Sequence, residues 1–180
     1  MFIVLFGLSG TGKNYVSRIM AKNLNFVVLN GDDLLPEDML ESIARKIAFT
    51  QAQRDRFTET LIAAARKITA PNIVLVQALY KNKNRERISE AFPHCQFIQV
   101  TTRADIIAGR LQKRDKMNAL NYAQKISPNF EPPTHPFFTL TNHINNDEFG
   151  IMAQLRMMLP DLFLRQDGVS AERESIRFCP

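Results

Sequence analysis

A chain of 180 residues with 45% apolar and 23% charged residues has the makeup of one globular domain around a single sizeable core. Its formal net charge of +5 favours an anionic partner, whether nucleotide, sugar acid or nucleic acid. Two cysteines exclude a disulfide framework, no segment reaches membrane-spanning length, and the N-terminal apolar run is too short and lacks a signal peptide's basic leader; the expected home is the cytoplasm. In chain order, "MFIVLF" reads as a buried strand closed by Gly7. "KNYVSRIMAKNL" sets Val16, Ile19, Met20 and Leu24 on one face of a helix, and "FVVL" is a second strand ended by "NGDD". From Pro36 to about Ala70 the pattern is helical, with a break near Phe49 and Thr50, and the later helix carries Phe57, Leu61, Ile62, Ala65 and Ile68 along one side.

"NIVLVQAL" is apolar on both faces, as the central strand of a parallel sheet demands. "NRERISEAF" is a short helix, and "CQFIQV" a fourth strand that buries Cys95. "RADIIAGRLQKRD" is a further helix with Thr102 as its N-cap. Lys116 to Pro136 is polar and ends in clustered prolines, which predicts a mobile flap with one short helix. "FFTLT" is the fifth strand and "DEFGIMAQLRMML" the closing helix; residues 161–180, with Cys179, read as a tail beyond a domain of residues 1–160. Alternating strands and helices imply right-handed crossovers and a parallel sheet covered on both faces, with ligands bound beyond the carboxyl ends of the strands.

The stretch "GLSGTGKN", Gly7 to Asn14, lies between the first strand and the first helix. The pattern G-x-x-x-x-G-K in that context is a phosphate-cradling loop. Gly7, Gly10 and Gly12 permit unusual backbone angles and close approach of N–H groups to phosphate oxygens, the helix start adds its positive dipole end, and Lys13 adds a full charge. Gly7, Ser9, Gly10, Thr11, Gly12, Lys13 and Asn14 are therefore the expected nucleotide-binding residues. Asn14 stands where a hydroxyl normally meets magnesium; its amide oxygen is a neutral oxygen donor of the kind that ion accepts, directly or through water. After the second strand, Asp32 and Asp33 offer a carboxylate to orient an acceptor hydroxyl or hold magnesium, the alternative being a solvated turn.

These stretches resemble the gluconate kinase branch of the small P-loop kinases, a group that includes shikimate and adenylylsulfate kinases. "GDDLLPEDMLESIARKIAFTQAQRDRF" is similar to that family's acceptor segment, "ALYK" to its Ala-Leu-Lys stretch and "IAGRLQKR" to the Arg-Leu-x-x-Arg of its lid helix. The resemblance implies a three-layer α/β/α P-loop kinase fold with a five-stranded parallel sheet and a mobile lid at about 115–136. It implies catalytic roles for Lys13, Asp32 and Arg114, lid arginines Arg110 and Arg114 facing nucleotide phosphates, acceptor contacts from Asp32 and Asp33, and for Arg54 either an acceptor contact or the anchoring of its helix. Asn14 and Asp32 would neighbour the metal, and "TNHINND" would lie near the adenine. The chain departs from the family at Asn14, at Asn30 where Asp is usual, at Leu35 where His is usual, and in a flap without the family's His-Phe.

Lys81, Lys83, Arg85 and Arg87 form a basic helix start, read as solvated, the alternative being that Lys81 and Arg85 reach an anionic acceptor; Gln77 ends the central strand, where acceptor or phosphate is within its reach. No aromatic interleaving supports nucleic-acid binding. His94, His135 and His143 lack metal-ligand spacing and read as surface or loop residues. The expectation is an ATP- and Mg2+-dependent kinase of a small, hydroxylated, carbohydrate-like anion, with a homodimer as its assembly. Its rivals are a kinase of shikimate, adenylylsulfate or a nucleotide, and a nucleotide-binding protein that has lost catalysis.

Overall fold

The computed structural model describes residues 1–115, 118–143 and 147–164, and the side chains of all of these except 114, 115, 118 and 119. Five strands, β1 (Phe2–Phe6), β2 (Val27–Asn30), β3 (Ile73–Val76), β4 (Gln96–Thr101) and β5 (Phe138–Thr141), form one sheet in the order β2-β3-β1-β4-β5, every neighbouring pair parallel. Between them run α1 (Lys13–Leu24), α2 (Glu37–Ala44), α3 (Gln51–Arg66), α4 (Asn82–Ala91), α5 (Ala104–Asp115) and α6 (Asn118–Ile126), with α7 (Glu148–Met158) after β5. Short 3-10 turns occupy Gly31–Leu34 and Ser127–Asn129.

Strand alternation divides the core. Val4, Phe6, Leu75 and Phe97 face a cluster with Met39 of α2, Phe57, Leu61 and Ile62 of α3, and Ile88 of α4. Ile3, Leu5, Val74, Val76, Ile98 and Val100 are equally buried and point to the opposite face, where α1 packs on β1 and β3 through Val16, Ile19 and Met20. This is the layered parallel architecture expected from the sequence, with one change of place. The middle strand is β1, and β3 lies between it and the edge strand β2. The all-apolar pattern of β3 reports burial on two faces, a property it shares with every interior strand.

Other differences are local. The α2–α3 break is wider than expected and contains Lys46 at φ 57°; Thr50 then starts α3 with a capping box completed by Gln53. Ile68 falls beyond the end of α3. Thr102 is not the cap of α5: that helix starts at Ala104, Arg103 O accepts from Ile107 N, and the buried Thr102 hydroxyl has no partner among the described residues. The segment read as a flap with one short helix does hold one, α6, and its Leu120 and Ala123 pack on Leu111 of α5. Its prolines come afterwards, because each would remove a helical N–H.

The chain divides into two compact units, Met1–Ile144 and Asn145–Pro180. In the second, Asp147 caps α7 by accepting from Gly150 N, and Arg156 lies 4.7 Å from the centre of the Phe163 ring. Helical geometry resumes over 160–164, where Leu162 and Phe163 are buried, so order extends past the Pro160 boundary. Cys179 and the rest of 165–180 lie outside the described residues. No helix among the described residues is long and apolar enough to cross a membrane.

Candidate active site

The phosphate loop leaves the carboxyl end of the middle strand, with neighbours on both sides. Gly7 sits at φ 134°, and a β-carbon there would come 2.5 Å from Val100 O of β4, so only glycine lets the chain turn so close to its neighbour strand. Gly12 is the N-cap of α1 at φ 93°, contributes no side-chain cap, and is followed by no acidic residue in the first turn. The helix start therefore keeps its positive end unneutralised and suited to an outside anion.

Lys13 Nζ donates to Gly7 O and Leu8 O, both at 3.0 Å, which holds the ammonium over the loop. Thr11 is buried, and its hydroxyl donates to Leu8 O at 2.9 Å; its side chain shapes the loop rather than facing a ligand. Ser9 faces the Tyr80 hydroxyl without a well-formed hydrogen bond to it. Arg110 of α5 reaches the loop, but its partners are carbonyls: Nη1 donates to Thr11 O at 3.0 Å and Gly10 O at 3.4 Å, and Nη2 to Asn142 O at 3.2 Å. The Arg114 side chain lies outside the described residues.

After β2 the two aspartates separate. Asn30 Nδ2 donates to Asp33 Oδ1 at 3.0 Å, while its Oδ1 accepts from Asp32 N at 3.4 Å, an Asx-type turn that starts the 3-10 segment. The exposed Asp32 carboxylate makes no hydrogen bond or ion pair among the described residues. Gln77 stands behind this turn: its Nε2 would meet a Gly31 β-carbon at 2.7 Å, and its Oε1 accepts from Ala78 N at 2.6 Å. Gln77 is thus spent on the end of β3.

Arg54 of α3 is the distinctive cation. Its guanidinium lies 5.6 Å from the Phe49 ring centre and 5.7 Å from that of Tyr80, and among the described residues it has no hydrogen bond or ion pair. Burial pushes its pKa below the ordinary guanidinium value, against the pull of Tyr122, Tyr80 and Glu131. Burial likewise raises the phenols of Tyr80 and Tyr122. An aromatic-backed, partly desolvated guanidinium is an efficient place for an anion, because part of its desolvation cost is already met by the fold.

Lys81 is not an open acceptor contact: its Nζ pairs with Glu131 Oε1 at 3.0 Å. Nor is the basic helix start simply solvated. Arg85 is wholly buried, with its guanidinium 5.3 Å from the Phe6 ring centre and 5.4 Å from that of Phe130. It donates to Leu79 O, Asn82 Oδ1 and, at 2.8 Å, Glu131 O. Glu131 Oε2 accepts from Asn82 N at 2.7 Å, so Lys81, Asn82 and Arg85 tie residues 130–132 to the β3–α4 connection, which contains Leu79 at φ 46°. The inward face of α4, Asn84, Arg85 and Ile88, is polar enough to be misread as exposed. His135 is half-buried against Phe97 with both ring nitrogens unpartnered among the described residues, and burial lowers its pKa. Asn142 is the other residue missed: 1% exposed, it binds the loop through Thr11 O.

For a divalent cation the donor chemistry fits. Asn14 and Asp32 are exposed oxygen donors beside the two loops, neither engaged through its side chain among the described residues; the described residues contain no group of three or more His, Cys, Asp or Glu that would form a protein cage. Magnesium held mainly by phosphates and water asks for no more.

A glycine-bent loop between β1 and α1, at the carboxyl edge of a five-stranded parallel sheet, defines the class: a P-loop α/β fold built to receive a phosphate chain. Residues 3–129 match the AAA domain family, and the chain belongs to it. It is 31% identical over 113 residues to the thermoresistant gluconokinase of Escherichia coli, an alignment covering 62% of this chain and 65% of that one, so the match spans less than two thirds of the relative's length. A gluconokinase structure from Sinorhizobium meliloti has a TM-score of 0.70 at 20% identity, covering 91% of this chain and 95% of its own. A sugar kinase from a Janibacter species scores 0.73 at 18% identity, covering 89% and 96%.

Proposed function

We propose that the protein is an ATP-dependent small-molecule kinase, moving the γ-phosphoryl group to a hydroxyl of an anionic, carbohydrate-like acceptor. The observation that carries this reading is Arg54, a partly buried cation without an ionic partner among the described residues, stacked on Tyr80, whose hydroxyl faces Ser9 of the phosphate loop. Nucleotide cradle and acceptor cation therefore share one wall. The likeness to gluconokinases supports the same class of acceptor.

In this mechanism the loop amides and the α1 N-terminus hold the phosphates, and Lys13 leaves the loop carbonyls to follow the transferred group. Arg54 seats the acceptor's anion, which turns its hydroxyl toward Asp32; Asp32 orients that hydroxyl and accepts its proton. The second carboxylate, Asp33, takes no part, since Asn30 holds it. Mg2+, beside Asn14 and Asp32, would supply charge neutralisation on the phosphates. Arg114 and the 115–136 segment complete the reading as lid, within a catalytic domain of residues 1–160 followed by a 161–180 tail. The protein would work in the cytoplasm on free small molecules, without nucleic acid, and light scattering would test the homodimer.

The test is acceptor-dependent ADP release from Mg-ATP across gluconate, related sugar acids, shikimate, adenylylsulfate and nucleoside monophosphates. A response to a sugar acid is the expected result. Silence across the panel alongside tight ATP binding would overturn the kinase reading in favour of a nucleotide-binding protein, with Asn14 as a departure that cost it catalysis.

A further inference from the structure

The phosphate loop is held from outside by two side chains that converge on one carbonyl. Thr11 O accepts from Asn142 Nδ2 at 2.8 Å and from Arg110 Nη1 at 3.0 Å. The two donors are themselves linked, because Arg110 Nη2 donates to Asn142 O at 3.2 Å. Asn142 is fixed in turn by its backbone N–H, which donates to Thr101 O at 2.8 Å at the end of β4. The amide orientation is dictated by chemistry: reversed, it would set Oδ1 against Thr11 O. That orientation leaves Oδ1 buried and unpartnered among the described residues, a cost the structure accepts to place the donor. Gly12 shows how closely the amide approaches, since a β-carbon there would lie 2.1 Å from Asn142 Nδ2 and 3.2 Å from Arg110 Nη1.

We propose that Asn142 is a positioning residue for nucleotide binding, clamping Thr11 O with Arg110 so that the N–H groups around Gly10 and Gly12 stay aimed at the phosphate chain. Carbonyls turned outward to the clamp leave the loop's N–H groups turned inward, which is the polarity a polyanion requires. Arg110 belongs to α5, so the clamp also links loop shape to the helix that leads into α6. The inference rests on the loop binding a nucleotide and makes no use of the acceptor's identity.

Two substitutions separate positioning from packing. Asn142→Asp keeps size and shape while turning an anionic oxygen toward Thr11 O, and Asn142→Ala removes the donor altogether. Calorimetry should show ATP and ADP binding weakened by about tenfold or more in both, the loss expected when one well-made hydrogen bond is removed. In turnover, KM for ATP should rise while KM for the acceptor stays within about twofold. Equal nucleotide affinity in wild type and both folded variants overturns the clamp and leaves the kinase reading standing. A wild-type chain that binds neither ATP nor ADP overturns both.

A third measurement covers the case in which these variants unfold. Gly12→Ala should weaken ATP binding strongly in the wild-type background and less in Asn142→Ser, because removing the amide vacates the space its methyl needs. Equal losses in the two backgrounds would overturn the close contact on which the clamp depends.

Discussion

Around the phosphate loop, four side chains are engaged with the loop itself: Lys13 on Gly7 and Leu8, Arg110 and Asn142 on Thr11, the Thr11 hydroxyl on Leu8. Across the sheet edge, Asp32 and Arg54 reach toward solvent or aromatic rings with no polar partner among the described residues. The first region is built to recognise one unchanging group, a chain of phosphates, and its backbone is shaped in advance. On the proposed reading, the second is left open to be completed by an acceptor. Under that reading, rigid preorganisation serves the shared chemistry, and uncommitted side chains serve the choice of substrate.

The largest effect should come from breaking the first region. Lys13→Ala should lower turnover by about a thousandfold, the scale of losing a principal electrostatic contact to the transferred group, with the melting temperature nearly unchanged. Retained turnover in a steady-state assay would sink the assignment. Arg85→Met should cost about 3 kcal/mol of stability, because Leu79 O and Glu131 O lose their buried donor; a denaturation midpoint near wild type would contradict a structural role for Arg85 in tying residues 130–132 to the β3–α4 connection.

Sharpening the second region needs gentler changes. Arg54→Ala should raise KM for an anionic acceptor by roughly ten- to a hundredfold, with KM for ATP little altered, and Arg54→Lys should recover only part of the loss. If both KM values rise together, Arg54 is holding the fold rather than the acceptor. Asn14→Thr should change turnover by less than about tenfold if the amide oxygen is an adequate metal neighbour; a much larger gain would mark Asn14 as a lesion. The smallest effect belongs to His135. Its folded pKa lies below the usual value, so the folded state binds fewer protons than the unfolded one, and stability falls as pH drops below about 6.5. His135→Phe should flatten the dependence of the melting temperature on pH between about 7.5 and about 5.5; an unchanged slope would remove His135 from the account.

The first region is also the easier to read in the sequence. Glycine spacing, a preceding apolar strand and a following lysine each have one dominant physical meaning, and together they locate loop, strand and helix. The acceptor side offers no such constraint. Asp32 and Asp33 are adjacent and chemically alike, and only Asn30 tells them apart by holding one. Lys81 and Arg85 are equally basic in the sequence, yet one pairs with Glu131 and the other is swallowed between Phe6 and Phe130, because their fates depend on a segment far along the chain. Asn142 is legible only as a loop residue, since its partner Thr11 lies at the other end of the domain's sequence. Strand order is similarly hidden: burial marks an interior strand without ranking it, so the apolar pattern of β3 points to a centre that β1 occupies.

That order has a consequence for descent. The half proposed to hold the acceptor, β2 and β3 with α2 to α4, is a single uninterrupted stretch of sequence from Val27 to Ala91. Within the sheet it joins the remainder by the pairing of Phe2–Leu5 with Ile73–Val76, while α1 packs on β2 and β3 and Glu131 ties into the β3–α4 connection. A lineage can rewrite that stretch, by drift or by recombination, while that pairing and the loop beside it are inherited intact. On the proposed reading, substrate preference then resides in one continuous segment that can change while the phosphate chemistry stays.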